Sequence, residues 1–304
     1  MAAPSLRGLW SNGRSAAEFW SEWSHESDPW REAWYDGDST LERRTLACFV
    51  GFVALHYAMI ALKPWLGSTL ASRTTLVANH LHCTAVSVLA VYLLARHPRG
   101  TLEDYRSWQV LGLPLSLAYF LGDIYWYCIP QRDYLIAFHH ATMLACHYPV
   151  GSDAGAALCG AGDALFAVRL SLLGYLCELS NPLMNWRWWL MQTLQAHRWD
   201  FAVVNVLLML SFVLRAVLLG WLLCGVLLPR AADFVEAKQV FIYGTCVLGH
   251  GVILALSLFW LRVLLKNGLR GLLVFRVDPA KVAGFSTFGS DMGRAAPKSK
   301  QKRR

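Results

Sequence analysis

Several stretches of this chain are apolar for long enough to cross a lipid bilayer, and most of them carry a titratable side chain near the middle. A helix of about 20 residues rises roughly 30 Å, the thickness of the hydrocarbon core. No water is available there for backbone N–H and C=O groups, so stretches of this length must be helices. The polar residues inside them are Asp123, His139, His140, His147, Asp163, Arg169 and Glu178. A charge in hydrocarbon costs several kcal/mol, so such groups face a cavity or one another. They mark where function is expected.

Composition agrees. Of 304 residues, 56% are hydrophobic and only 16% are charged, against about 25% charged in soluble proteins. The formal net charge is +8, and most of the excess follows the last apolar run. A basic tail beside a membrane meets anionic headgroups. With no accompanying binding motif, nucleic acid is not an expected partner. Cys48, Cys83, Cys128, Cys146, Cys159, Cys177, Cys224 and Cys246 all lie in or beside apolar runs, and none forms a CxxC pair. They read as small hydrophobes, implying neither a disulfide framework nor a zinc site, and no metal is expected. Residues 1–40 have no apolar core of a signal peptide.

Seven spans are expected: Thr45 to Leu62, Thr74 to Ala95, Val110 to Ile129, Tyr134 to Val150, Ala156 to Leu179, Phe201 to Leu228 and Val240 to Leu265. The fold class is therefore all-α and polytopic. The domains read as a polar Trp-rich segment (1–44), a first transmembrane helix (45–62), a main helical domain (70–268) and a basic tail (269–304). Pro182 is expected to stop or kink the helix before it. The Trp-rich stretch after it reads as a short interfacial helix. Lys266, Arg270, Arg276 and Lys281 follow the last span, which places the C-terminus in the cytosol. Lys300 and Lys302, fifth and third from the end, resemble a dilysine address for the endoplasmic reticulum.

Two segments carry more specific information. His139 and His140 are adjacent in the fourth span, and His140 shares a helical stripe with His147. About forty residues on, 178–188 reads E-L-S-N-P-L-M-N-W-R-W. A His pair followed by E-L-S-x-P-x-x-N-x-R-W resembles the TLC-domain family, which includes ceramide synthases and translocation-associated proteins. Within it, the likeness is closest to the branch of TLC domain-containing protein 4. Gly122-Asp123 and His82 fit more loosely. The resemblance covers about residues 70–268. It implies six helices around a central cavity open to lipid, with one further helix before them.

In ceramide synthases the paired histidines are associated with acyl transfer from acyl-CoA to a sphingoid amine. The resemblance carries that role to His139 and His140, and imidazole suits it by titrating near neutral pH. Those enzymes also follow the pair with His-Asp, whereas Arg169 to Pro182 here offers Glu178 and no His-Asp. The expected function is lipid homeostasis, by binding a lipid or acyl chain in a helix-lined cavity. An acyltransferase using His139, His140 and Glu178 is the alternative, and a trafficking or translocation partner the second. Asp123, His147, Asn185 and Arg187 are expected to contact the lipid, with Arg187 also suited to a phosphate. A set of His139, His140 and Glu178 has metal-binding chemistry but no geometry fixed by spacing. No cofactor is expected, with acyl-CoA a co-substrate only of an acyltransferase. The partners are membrane lipids and, in an oligomer, further copies of the chain.

Overall fold

The computed structural model describes residues 40–66, 75–98, 100–101, 104–151, 161–193, 195, 199–236 and 240–273. The Trp-rich N-terminal segment and the dilysine tail lie outside them. The described residues are helical, with no strand among them. We label the main helices α1 (Thr40–Ala61), α2 (Leu76–Arg96), α3 (Leu113–Asp123), α4 (Tyr134–Gly151), α5 (Ala161–Tyr175), α6 (Ser180–Gln192), α7 (Trp199–Trp221) and α8 (Val240–Leu273). The expected spans fall on α1 to α5, α7 and α8.

Among the described residues, four helical stretches are long and apolar enough to cross a membrane: Leu41–Ala61, Leu76–Arg96, Trp199–Arg230 and Tyr243–Lys266. The other three expected spans, on α3, α4 and α5, are not among these four. α3 is flanked by π turns at Trp108–Gly112 and Ile124–Cys128. α4 has 18 residues and spends three of its positions on His139, His140 and His147. α5 is described over 15 residues.

Local chemistry sets the boundaries. The rod containing α3 ends at Arg132, whose φ of 57° is the left-handed conformation that closes helices. Asp133 then starts α4 by accepting a hydrogen bond from the Ile136 N–H at 3.3 Å. Thr101 and Asp104 cap one another reciprocally between α2 and α3, with Thr101 N–H donating to Asp104 Oδ2 at 2.8 Å. That N–H holds the Asp104 carboxyl below its ordinary pKa. Pro182 does not kink α5. It sits in the first turn of α6, where its missing N–H costs nothing, after a 3-10 turn at Leu176–Leu179.

Neighbouring helices close a ring: α2 packs on α3, α3 on α4, α4 on α8, α8 on α7, α7 on α6 and α6 on α2. α1 lies against α3. α5 packs against α2 and α4, and its following turn against α2, α6 and α7. Phe166 to Leu172 is buried without interruption, as befits a helix enclosed on all sides. Even Arg169 is only 1% exposed. It donates to Gly100 O at 2.8 Å and Tyr105 OH at 3.3 Å, so it clamps α5 to the connection before α3. The side chain of Asp163 lies outside the described residues.

α4 and α8 meet closely at Gly249, where an added Cβ would stand 2.1 Å from Cys146 Sγ. At Gly251 a Cβ meets nothing within 4 Å. Overpacking a close helix contact costs about 1–3 kcal/mol. Gly249→Ala should therefore lower the melting temperature of the detergent-solubilised protein. Gly251→Ala should leave it unchanged or raise it slightly, since alanine favours helix.

Candidate functional site

Polar side chains from α2, α3, α4, α6, α7 and α8, with the turn after α5, meet inside the ring. Asp123, His139, His140, His147, Glu178, Asn185 and Arg187 are each less than a tenth exposed. They are all interior residues, but they do not form one group.

His140 faces Asp123, with Nδ1 3.4 Å from Oδ2. Cys128 Sγ lies 3.6 Å from the same oxygen. Aromatic rings wall this pair: Phe120 at 5.0 Å and Tyr119 at 5.7 Å from the His140 ring. His139 turns away, as adjacent helix positions must, about 100° apart. Its ring meets the face of Trp260 edge-on at 5.6 Å. Its Nδ1, like that of His140, has no hydrogen-bond partner among the described residues. His147 bonds through Nδ1 to Met143 O at 2.8 Å.

Glu178 does not gather with the histidine pair. It is buried on the α2 side. Its Oε2 accepts from Cys83 Sγ at 3.4 Å and from the Asn181 amide. Asn181 also donates to Cys83 Sγ at 3.3 Å. Next to Cys83, His82 bonds through Nε2 to Ser116 Oγ at 3.1 Å and stacks on Tyr119 at 4.1 Å. Tyr119 thus touches both the His82 and the His140 groups. An amide relay continues outward: Asn185 donates to Asn79 Oδ1 at 2.6 Å, and Asn79 donates to Tyr119 OH at 2.6 Å. Asn185 therefore ties α6 to α2.

Arg187 is 6% exposed. Its Nε donates to Asn205 Oδ1 at 2.7 Å, and its guanidinium lies over the Phe201 ring. It braces α6 against α7. Arg215 of α7 donates to Ser257 Oγ of α8 at 2.9 Å and to Cys177 O at 3.3 Å.

A cavity of about 30 Å³ lies between α4, α5, α7 and α8. Its polar lining is His147, Glu178, Arg215 and His250, and Leu170, Leu219 and Ile253 form apolar wall. A second, of about 20 Å³, borders Asp123, Tyr119 and His56. Each has room for a water or two.

Residue type alone hides several members of this interior. Cys83 reads as a small hydrophobe, and Asn79, Ser116, Tyr119 and Asn181 as ordinary helix residues. One signal was available: Asn79, His82 and Cys83 occupy positions i, i+3 and i+4 of an apolar helix, a polar stripe on one face.

The Arg187 contact is testable. Asn205→Leu deprives a buried guanidinium of a short hydrogen bond and should cost about 1–3 kcal/mol. Thermal unfolding in detergent should show it, with Asn205→Asp retaining most of the stability.

No curated protein matches the chain, and no solved structure does. The model of the TLC domain family matches residues 75–266. That is well over half of the chain, running from the start of α2 into α8. The chain is a membrane protein of the TLC domain family.

Proposed function

We propose that this protein binds a membrane lipid or its acyl chain at the polar interior of the bundle and so contributes to lipid homeostasis. One observation carries the proposal. A carboxylate, a guanidinium and two imidazoles, from Glu178, Arg215, His147 and His250, line a single cavity with aliphatic walls. Such a lining matches the junction of a polar headgroup and an apolar chain. At about 30 Å³ the cavity has room for a water or two, so under this reading a lipid enters by parting the surrounding helices. Among the described residues, four helices are long and apolar enough to cross a bilayer, which supports a site surrounded by lipid. Seven spans around that interior, a place in the endoplasmic reticulum and a cytosolic C-terminus belong to the same proposal.

A second reading, acyl transfer, is favoured by the pairing of His140 with Asp123. Asp123 Oδ2 stands 3.4 Å from His140 Nδ1 without a hydrogen bond to it, and a closer approach would orient the imidazole as a base. His139, with Nδ1 unpaired among the described residues, is the adjacent group. Under this reading acyl-CoA is a co-substrate. The likeness to TLC domain-containing protein 4 and to ceramide synthases rests on the histidine pair and the 178–188 motif.

The test uses the full chain purified in mild detergent. Mass spectrometry should find lipid retained by the wild type, and Glu178→Gln should reduce it about tenfold, the loss of one charge-assisted hydrogen bond. Acyl-CoA with amine and lyso-lipid acceptors then separates the readings. Turnover abolished in both His140→Ala and Glu178→Gln supports the transferase. Retained lipid without turnover supports binding. A protein that holds no lipid and turns over no acyl-CoA overturns both.

A further inference from the structure

We propose that His82, Cys83 and Glu178 form a divalent metal site, selective for zinc, inside the bundle. Their ligating atoms all lie within 4.8 Å of one another. Cys83 Sγ is 3.4 Å from Glu178 Oε2 and 3.8 Å from His82 Nδ1. Zinc bonds of about 2.3 Å to sulfur and about 2.0 Å to nitrogen and oxygen, at tetrahedral angles, put donors about 3.5 Å apart. Small rotations of buried side chains close the remaining gap.

The surroundings prepare each ligand. Ser116 has one hydroxyl proton, and it donates that proton to Gly112 O at 2.9 Å. Its oxygen therefore accepts from His82 Nε2. This fixes the tautomer, with the proton on Nε2 and the lone pair of Nδ1 directed toward Cys83. A ligating histidine needs this outer hydrogen bond to orient it. Asn181 donates to both the sulfur and the carboxylate, a contact that stabilises thiolate and carboxylate.

Charge decides which ion fits. Binding displaces the thiol proton of Cys83 to solvent. One thiolate, one carboxylate and one neutral imidazole then balance a dication, so the site carries no net charge of its own. Neutrality matters in a low-dielectric interior, where an unpaired charge is expensive. Arg215 hydrogen-bonds the neutral Ser257, Ser180 and Cys177 O, and its charge also acts on Glu178, with which it lines one cavity. A mixed sulfur, nitrogen and oxygen set selects zinc over magnesium or calcium. Three protein ligands leave a fourth position for water or a substrate oxygen, the arrangement of catalytic zinc. The ligands come from α2 and the turn after α5, so sequence spacing gives no motif.

The experiment uses the full chain in detergent, without a histidine tag, dialysed against micromolar zinc and then zinc-free buffer. Elemental analysis should find stoichiometric zinc. The cobalt-exchanged protein should show near-ultraviolet thiolate-to-metal absorption. Cys83→Ser should abolish that band while the protein still elutes as a folded species. Cys128→Ser, which alters the Asp123 and His140 group, should retain it. Ser116→Ala removes no ligand but frees the His82 ring, and should weaken zinc about tenfold in competition with a chromophoric chelator. Three results would overturn the proposal: wild type with no zinc above a detergent blank, a cobalt band that survives Cys83→Ser, or one lost only in Cys128→Ser.

Discussion

A polar group removed from water inside an apolar bundle must be met by another polar group, and the interior of this protein is arranged around that requirement. Each helix of the ring contributes side chains whose partners lie on a different helix. Asn185 of α6 finds Asn79 of α2, which finds Tyr119 of α3. His82 of α2 finds Ser116 of α3, and Arg187 of α6 finds Asn205 of α7. Such bonds add little where water competes. In an apolar interior the alternative is an unsatisfied donor, which makes them decisive for register. They fix which faces of α2, α3 and α6 turn inward.

The arginines follow the same rule and show how position separates structure from chemistry. Arg169 and Arg187 end on carbonyl, phenol or amide oxygens that bind neighbouring segments together. Arg215 does this too, but it also lines a cavity shared with Glu178 and two histidines. Of the three, Arg215 is the one that lines this cavity.

Much of the architecture was legible beforehand because its cause is local. Apolar runs of membrane length compel helices, and the seven expected spans all fall on helical segments. The family was legible too, from the histidine pair and the 178–188 motif, and the family model bears it out. The helix from 180 onward was expected; its Trp186 and Trp189 are exposed, while Asn185, Arg187, Leu190 and Met191 turn inward against α2 and α7.

The sequence by itself determined that this is an all-helical membrane chain with ionisable groups inside its spans, since hydropathy and length depend only on neighbours along the chain. Tertiary structure decided which of those groups meet. Glu178 lies closer in sequence to His139 and His140 than to Cys83, yet it bonds to Cys83, 95 positions away. That pairing is set by how α2 packs against the turn after α5. Helix rotation is fixed by the summed contacts of the whole ring, and no single segment encodes it.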